Sequence, residues 1–255
     1  MLDKPVINPL GSPFIELSSV DSTNNYAFGR IREGTATHGT AIFTSEQTAG
    51  KGQMGRQWLS EKDANIALSL VIQPKPLLVS EQFRLSAMVA TAVCRFLAGY
   101  AGEEAKIKWP NDLYWRDRKL GGILIENSIA AGQADWQWSV AGIGLNINQT
   151  RFDPALSNPV SLKQITGRDF DTKELALELC AILNSYYDLL TKKGFDPVYK
   201  EYNLFLYKLN ETVRLRKEST VFLTGIKGVS KNGELVTHNS VLEERFRFGE
   251  ISWLI

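Results

Sequence analysis

AKIKWPNDLYWRDRKLGGILIENSIA, residues 105–130, decides the fold. Its apolar residues fall in short runs broken by turn formers, so the stretch reads as strands joined by tight turns. Proline cannot donate to a sheet ladder, so Pro110 must end or interrupt a strand. Asn111 and Asp112 form a turn that projects Asp112. Trp115-Arg-Asp-Arg-Lys119 is the hairpin turn into the next strand. WQWSVAGIGLNIN, residues 136–148, adds another.

Outward from this core the chain divides into two regions. FIELSSVDSTNNYAFGRIREG reads as a short strand, a polar turn, and a helix starting near Asn24, with Asp21, Ser22 and Thr23 as natural N-cap residues. GTAIFTSEQ is a strand leading into a glycine-rich loop. NIALSLVIQP is near-continuously apolar, as a central strand buried on both faces would be. SEQFRLSAMVATAVCRFLAGYAG is an amphipathic helix begun by Ser80 and ended by Gly99 to Gly102. Residues 149–171 are irregular. DTKELALELCAILNSYYDLLTKKG is a second long helix, capped by Asp171 or Thr172, and DPVYKEYNLFLYKLN a third, shorter one. Near residue 210 the period changes to strict alternation, which marks a small all-β unit, a barrel of about five strands. The expected organisation is α+β, with units at 1–209 and 210–255.

Composition excludes several function classes. The 255 residues carry a net charge of +1, so no global basic field is present to hold nucleic acid. No apolar run approaches the length of a membrane helix, and MLDKPVINPLGSPF lacks a signal pattern. Two histidines and no Cys/His pairing argue against a zinc site. Cys94 and Cys180 lie far apart in apolar helical patterns and read as core thiols of a reducing cytoplasm.

Three motifs carry chemistry. TAGKGQMGRQW, residues 48–58, lacks the spacing of a phosphate-binding Walker loop and of a dinucleotide fingerprint. What remains is a flexible backbone bearing Lys51 and Arg56, suited to an anion or to a plain solvated turn. In KWPNDLYW, Lys108 and Asp112 meet either as a surface ion pair of little worth or as contacts to an anion and to magnesium or ribose. In GIGLNIN, Asn146 and Asn148 sit at alternate positions of an apolar strand. Buried amides must be hydrogen-bonded, either to backbone or to a ligand.

The order Ser-Thr-Asn, Glu-Gln-x-x-Gly-Lys-Gly-x-x-Gly-Arg-x-Trp, Lys-Trp-Pro-Asn-Asp, Arg-Lys-Leu-Gly-Gly-Ile-Leu-Ile-Glu, Gly-Ile-Gly-Leu-Asn-Ile-Asn strongly resembles biotin–protein ligases, from about residue 15 to the C-terminus. The resemblance implies a central mixed β-sheet with helices, of the kind shared with class II aminoacyl-tRNA synthetases and lipoate ligases, followed by a small SH3-like barrel. It implies ATP with Mg2+ as cofactors, biotin as substrate, biotinyl-5′-AMP as intermediate and a lysine of a biotin carboxyl carrier protein as acceptor. A lipoate or octanoate ligase or transferase of the same fold is the alternative.

Residue by residue, the resemblance places Lys108 at the biotin carboxylate and α-phosphate, with Arg56 as a second catalytic cation and Lys51 and Lys119 as further candidates. Ser22, Thr23, Asn24 and Gln47 match positions that hydrogen-bond the biotin head, and Gly121 and Gly122 match an approach to its tail. Gly50, Gly52, Gln53, Gly55, Asn111 and Asn146 fall at the adenylate, Trp58 stacks on adenine, and Asp112 contacts magnesium or nucleotide. The usual loop pattern is Gly-Arg-Gly-Arg-x-Gly-Arg, so Lys51 and Gln53 depart from it. Too few residues precede the first strand for a DNA-binding winged helix. The resemblance leaves a homodimer through a sheet edge open and implies neither nucleic-acid nor membrane partners.

Overall fold

The computed structural model describes residues 8–129, 136–239 and 242–254. The readings that rest on residues 1–7, and on Ala130 as a strand end, lie outside the described residues. A mixed seven-stranded sheet runs in the order β1-β2-β3-β7-β6-β5-β4. Its strands are β1 (Phe14–Leu17), β2 (Ala41–Thr44), β3 (Asn65–Ile72), β4 (Ala105–Lys108), β5 (Asp112–Trp115), β6 (Arg118–Ile129) and β7 (Trp136–Asn146). β1 and β2 are parallel, and the other neighbours are antiparallel. All eight residues of β3 are buried, because it is covered on both faces. Its Ile66, Leu68, Leu70 and Ile72 join the main core with the helices α2 (Gln82–Ala101) and α4 (Thr172–Lys193). Its Val71 instead meets Ala27 of α1 (Thr23–Arg32), Ile42 and Val140.

Helix ends show where local signals were spent differently. Asp171 caps α4 as expected, accepting from the amides of Lys173 and Glu174 at 2.9 and 3.0 Å. Ser80 does not start α2: a short 3-10 turn over Val79–Glu81 intervenes, and the helix begins at Gln82. Ser22 stands at the N-cap of α1 with no side-chain capping bond. The irregular stretch after β7 holds one short helix, α3 (Leu162–Thr166), capped by Ser161. α5 (Phe195–Leu204) precedes the second sheet.

That sheet is antiparallel, ordered β11-β10-β9-β8-β12. Its strands are β8 (Thr212–Lys217), β9 (Thr220–Val229), β10 (Leu235–His238), β11 (Glu243–Phe246) and β12 (Ser252–Trp253). Leu215, Ile226, Val229 and Leu235 belong to the same apolar cluster as the main core. The Trp109 indole N–H donates to the Gly233 carbonyl at 2.9 Å and fastens the β4–β5 turn to the second sheet.

Candidate active site

One cavity of about 850 Å³ collects most of the motif residues. It is lined by the start of α1, the loop after β2, the β4–β5 turn, the facing parts of β6 and β7, residues 152–159, and residues 248–253 of the second sheet.

At the start of α1, Ser22, Thr23 and Asn24 are almost fully buried and still line this cavity. The Thr23 amide and hydroxyl both donate to Gln47 Oε1, at 2.9 and 3.1 Å. Gln47 therefore does the work of a cap, and Ser22 is released from it. Asn24 Nδ2 donates to Glu126 Oε2 at 2.7 Å and more weakly to the Leu124 carbonyl. Ser69 Oγ lies 2.7 Å from Thr23 Oγ1 and 2.6 Å from Asn24 Oδ1. Such a satisfied buried network fixes side-chain positions before any ligand arrives. Ser69 escaped the sequence reading, since a lone serine on an apolar strand carries no signal of its own, and Glu126 stood in a quoted motif without being given a role.

Lys108, Lys119 and Arg56 are among the cations that line the cavity, with Arg216 of β8. Asp112 pairs with Lys119 at 2.7 Å, not with Lys108, so of the two readings of this motif the Lys108–Asp112 surface pair does not form. Among the described residues neither Lys108 nor Arg56 has a carboxylate within ion-pair distance. Burial holds the Lys108 ammonium below its ordinary pKa; Asp112 pulls the other way, and Lys119 and Arg56 add smaller pushes in the direction of burial. A partly desolvated cation without a counter-ion is poised to receive an anion. Lys51 also lines the cavity, 3.9 Å from Glu126.

The glycine loop is folded, not open. Lys51 and Gln57 pair as an isolated bridge, and the Gly52 amide donates to the Arg56 carbonyl at 2.7 Å. Gly55 is left-handed at φ +75°, and so is Met54 at φ +55°. Gly50 is required for close packing, since a Cβ there would collide with the Trp58 carbonyl. Trp58 lies across β7: a Cβ on Gly144 would meet its ring at 2.5 Å. One on Gly142 would meet Asn24 Oδ1, also at 2.5 Å. The two glycines of GIGLNIN thus make room for a tryptophan and an asparagine of other motifs, a role the sequence did not reveal.

Some candidates stand elsewhere. Gly122 lines the cavity beside Asp112 and Lys119, but Gly121 does not. A side chain at Gly121 would strike Leu145 and the Gly144 carbonyl, so strand packing requires glycine here. Gly50 and Gly55 shape the loop without lining the cavity. Asn146 lines it, with its amide nitrogen donating to the Val160 carbonyl at 3.1 Å. Asn148 exchanges bonds with the Phe170 backbone and is structural. Asn111 donates to the Ile123 carbonyl at 2.9 Å.

Among the described residues no group of three or more His, Cys, Asp or Glu could hold a metal ion. Asp112 offers one carboxylate, already bonded to Lys119. It fits magnesium only where phosphate oxygens of a nucleotide complete the coordination, which is the usual arrangement for this ion.

Comparison with known proteins agrees with this geometry. A model of the biotin/lipoate A/B protein ligase family matches residues 16–146. The bifunctional ligase/repressor BirA of Escherichia coli is 29% identical over 246 residues, covering 95% of this chain and 74% of that one. The biotin–[acetyl-CoA-carboxylase] ligase of Paracoccus denitrificans is 30% identical over 229 residues, covering 86% and 92%. The solved biotin protein ligase of Aquifex aeolicus, in complex with biotin and ATP, superposes with a TM-score of 0.78 at 26% identity, over 94% of this chain and 97% of that one. By a match across half its length, and by relatives alike over nearly all of it, the chain belongs to the biotin/lipoate A/B protein ligase family.

Proposed function

We propose that this chain is a biotin–protein ligase that activates biotin with ATP and transfers it to a lysine of a biotin carboxyl carrier protein. The observation that carries the reading is the convergence, in one cavity of a family member, of a buried polar cluster and two cations without counter-ions. In the first step a biotin carboxylate oxygen attacks the α-phosphorus of ATP and pyrophosphate leaves. Both reactants are anions, so cations must bring them together and stabilise the transition state. We assign that role to Lys108 and Arg56, with Lys119 and Lys51 at the remaining phosphate charge. Magnesium bound with ATP would neutralise phosphate charge, and Asp112 would be the residue to meet it.

Ser22, Thr23, Asn24 and Gln47 would receive the biotin ureido ring, whose urea needs the donors and acceptors this cluster presents. The apolar dithiolane of lipoate would make no use of those polar groups, which disfavours the alternative substrate. Gly52, Gln53, Trp58 and Asn146 would hold the adenylate. In the second step the neutral amine of a carrier lysine attacks the biotinyl carbonyl and AMP leaves. The glycine loop would keep water from the anhydride meanwhile. We assign biotin and ATP binding to residues 1–209 and the SH3-like unit to 210–255. No described helix is long and apolar enough to cross a membrane, and we propose the cytoplasm, where ATP and carrier meet, as the site of action.

Intact-mass analysis tests this. A carrier domain incubated with the protein, biotin and Mg-ATP should gain one biotinyl group, and none with lipoate in place of biotin. An unmodified carrier in the presence of folded protein would refute the assignment.

A further inference from the structure

The Lys108 ammonium lies 4.9 Å from the centre of the Tyr114 ring and 5.7 Å from the Trp253 ring. Tyr114 belongs to β5, next to the lysine's own strand, but Trp253 comes from β12 in the second sheet. Both rings are held. The Tyr207 ring lies 5.2 Å from Tyr114 and 5.8 Å from Trp253, and its hydroxyl donates to Asp117 at 2.6 Å. The Trp253 backbone pairs with Leu215 of β8. Its indole N–H is buried with no acceptor among the described residues, so packing orients the ring.

We propose that Trp253 is a positioning residue for Lys108: with Tyr114 it forms an aromatic cage that holds the ammonium in the cavity without neutralising it. The inference rests on the reading of Lys108 as the cation at the reacting anions. A carboxylate partner would fix a lysine equally well but would compete with the substrates for its charge. An aromatic face attracts the cation through its quadrupole and leaves the N–H donors for incoming oxygens. The neighbouring Lys119, which has the carboxylate of Asp112, shows the contrast. By this route the second sheet contributes to activation of the acid, with Trp253 acting through the lysine.

Two measurements on the full chain test it. In lysine-labelled wild-type protein, the Lys108 ε-CH2 resonance, assigned by its loss in Lys108→Gln, should be shifted upfield by the rings. An unshifted resonance would overturn the cage. In biotin-dependent pyrophosphate exchange, Trp253→Leu should lose roughly five- to thirtyfold in kcat, with smaller changes in KM. Trp253→Phe should recover most of it. Added to Lys108→Gln, Trp253→Leu should cost nothing further, because it acts through the lysine. Equal losses for Leu and Phe, or losses that multiply in the double variant, would overturn the positioning role. Near-normal exchange by Lys108→Gln would instead sink the reading of Lys108 on which the role depends, whatever the resonance shows.

Discussion

Lys108 carries charge where burial penalises charge. That cost is the signature of a functional cation, and it yields two predictions. Lys108→Gln keeps length and hydrogen bonding but removes the charge, so biotin activation should fall about 10²–10³-fold with the fold intact. Lys108→Met should in turn stabilise the protein near neutrality. The native pKa is depressed from 10.5, so between the native and unfolded values the unfolded chain binds more protons, and wild-type stability rises with pH. Below that window the penalty is present in full. The melting temperature of Lys108→Met should therefore exceed wild type at pH 7, and the gap should narrow toward pH 10; a lower melting temperature at pH 7 would refute it. The sequence made Lys108 and Asp112 visible as a charged pair at a strand end. It did not show that Asp112 would take Lys119. The partner depends on the β5–β6 register, which shifts between Leu113 and Tyr114, and no residue type announces that irregularity.

Elements were legible where one local signal dominated. The long helices, the buried strand β3 and the hairpin at Trp115–Lys119 follow from period and turn chemistry alone. Ser22 and Thr23 looked like caps because those residue types usually cap, yet here the side chains of Thr23 and Asn24 are engaged across the sheet, by Gln47, Ser69 and Glu126. The glycine loop was legible in composition but not in shape, since its bridge joins Lys51 to Gln57 and its tryptophan rests on a glycine of β7. Gly144→Ala tests that seat: a methyl 2.5 Å from the Trp58 ring must displace it. Such a misplacement costs up to about a hundredfold in kcat/KM for ATP, while Gly29→Ala, with open space around it, should leave the kinetics unchanged. Gln53 tests the loop's contact with the intermediate. Its Oε1 is buried without a partner among the described residues. Gln53→Arg would add a charge-assisted bond worth about 1.5–3 kcal/mol, so preformed adenylate should dissociate roughly ten- to a hundredfold more slowly. An unchanged rate would place Gln53 away from the phosphate.

At the scale of the whole molecule, the change of period near residue 210 located the second sheet, but nothing in the sequence said that it would help build the cavity. Trp109 reaches Gly233 and Trp253 reaches Lys108 across more than a hundred residues of chain. Contacts that distant in sequence leave no local pattern. Both sheets therefore line the cavity in which biotin is joined to AMP. Biotin-dependent exchange of labelled pyrophosphate into ATP reads that first step alone, without needing the acceptor protein. The folded full-length chain should catalyse exchange with biotin and Mg-ATP, and give only background without biotin or with lipoate in its place. Exchange supported by lipoate or octanoate but not by biotin, or by none of them, would contradict the central claim.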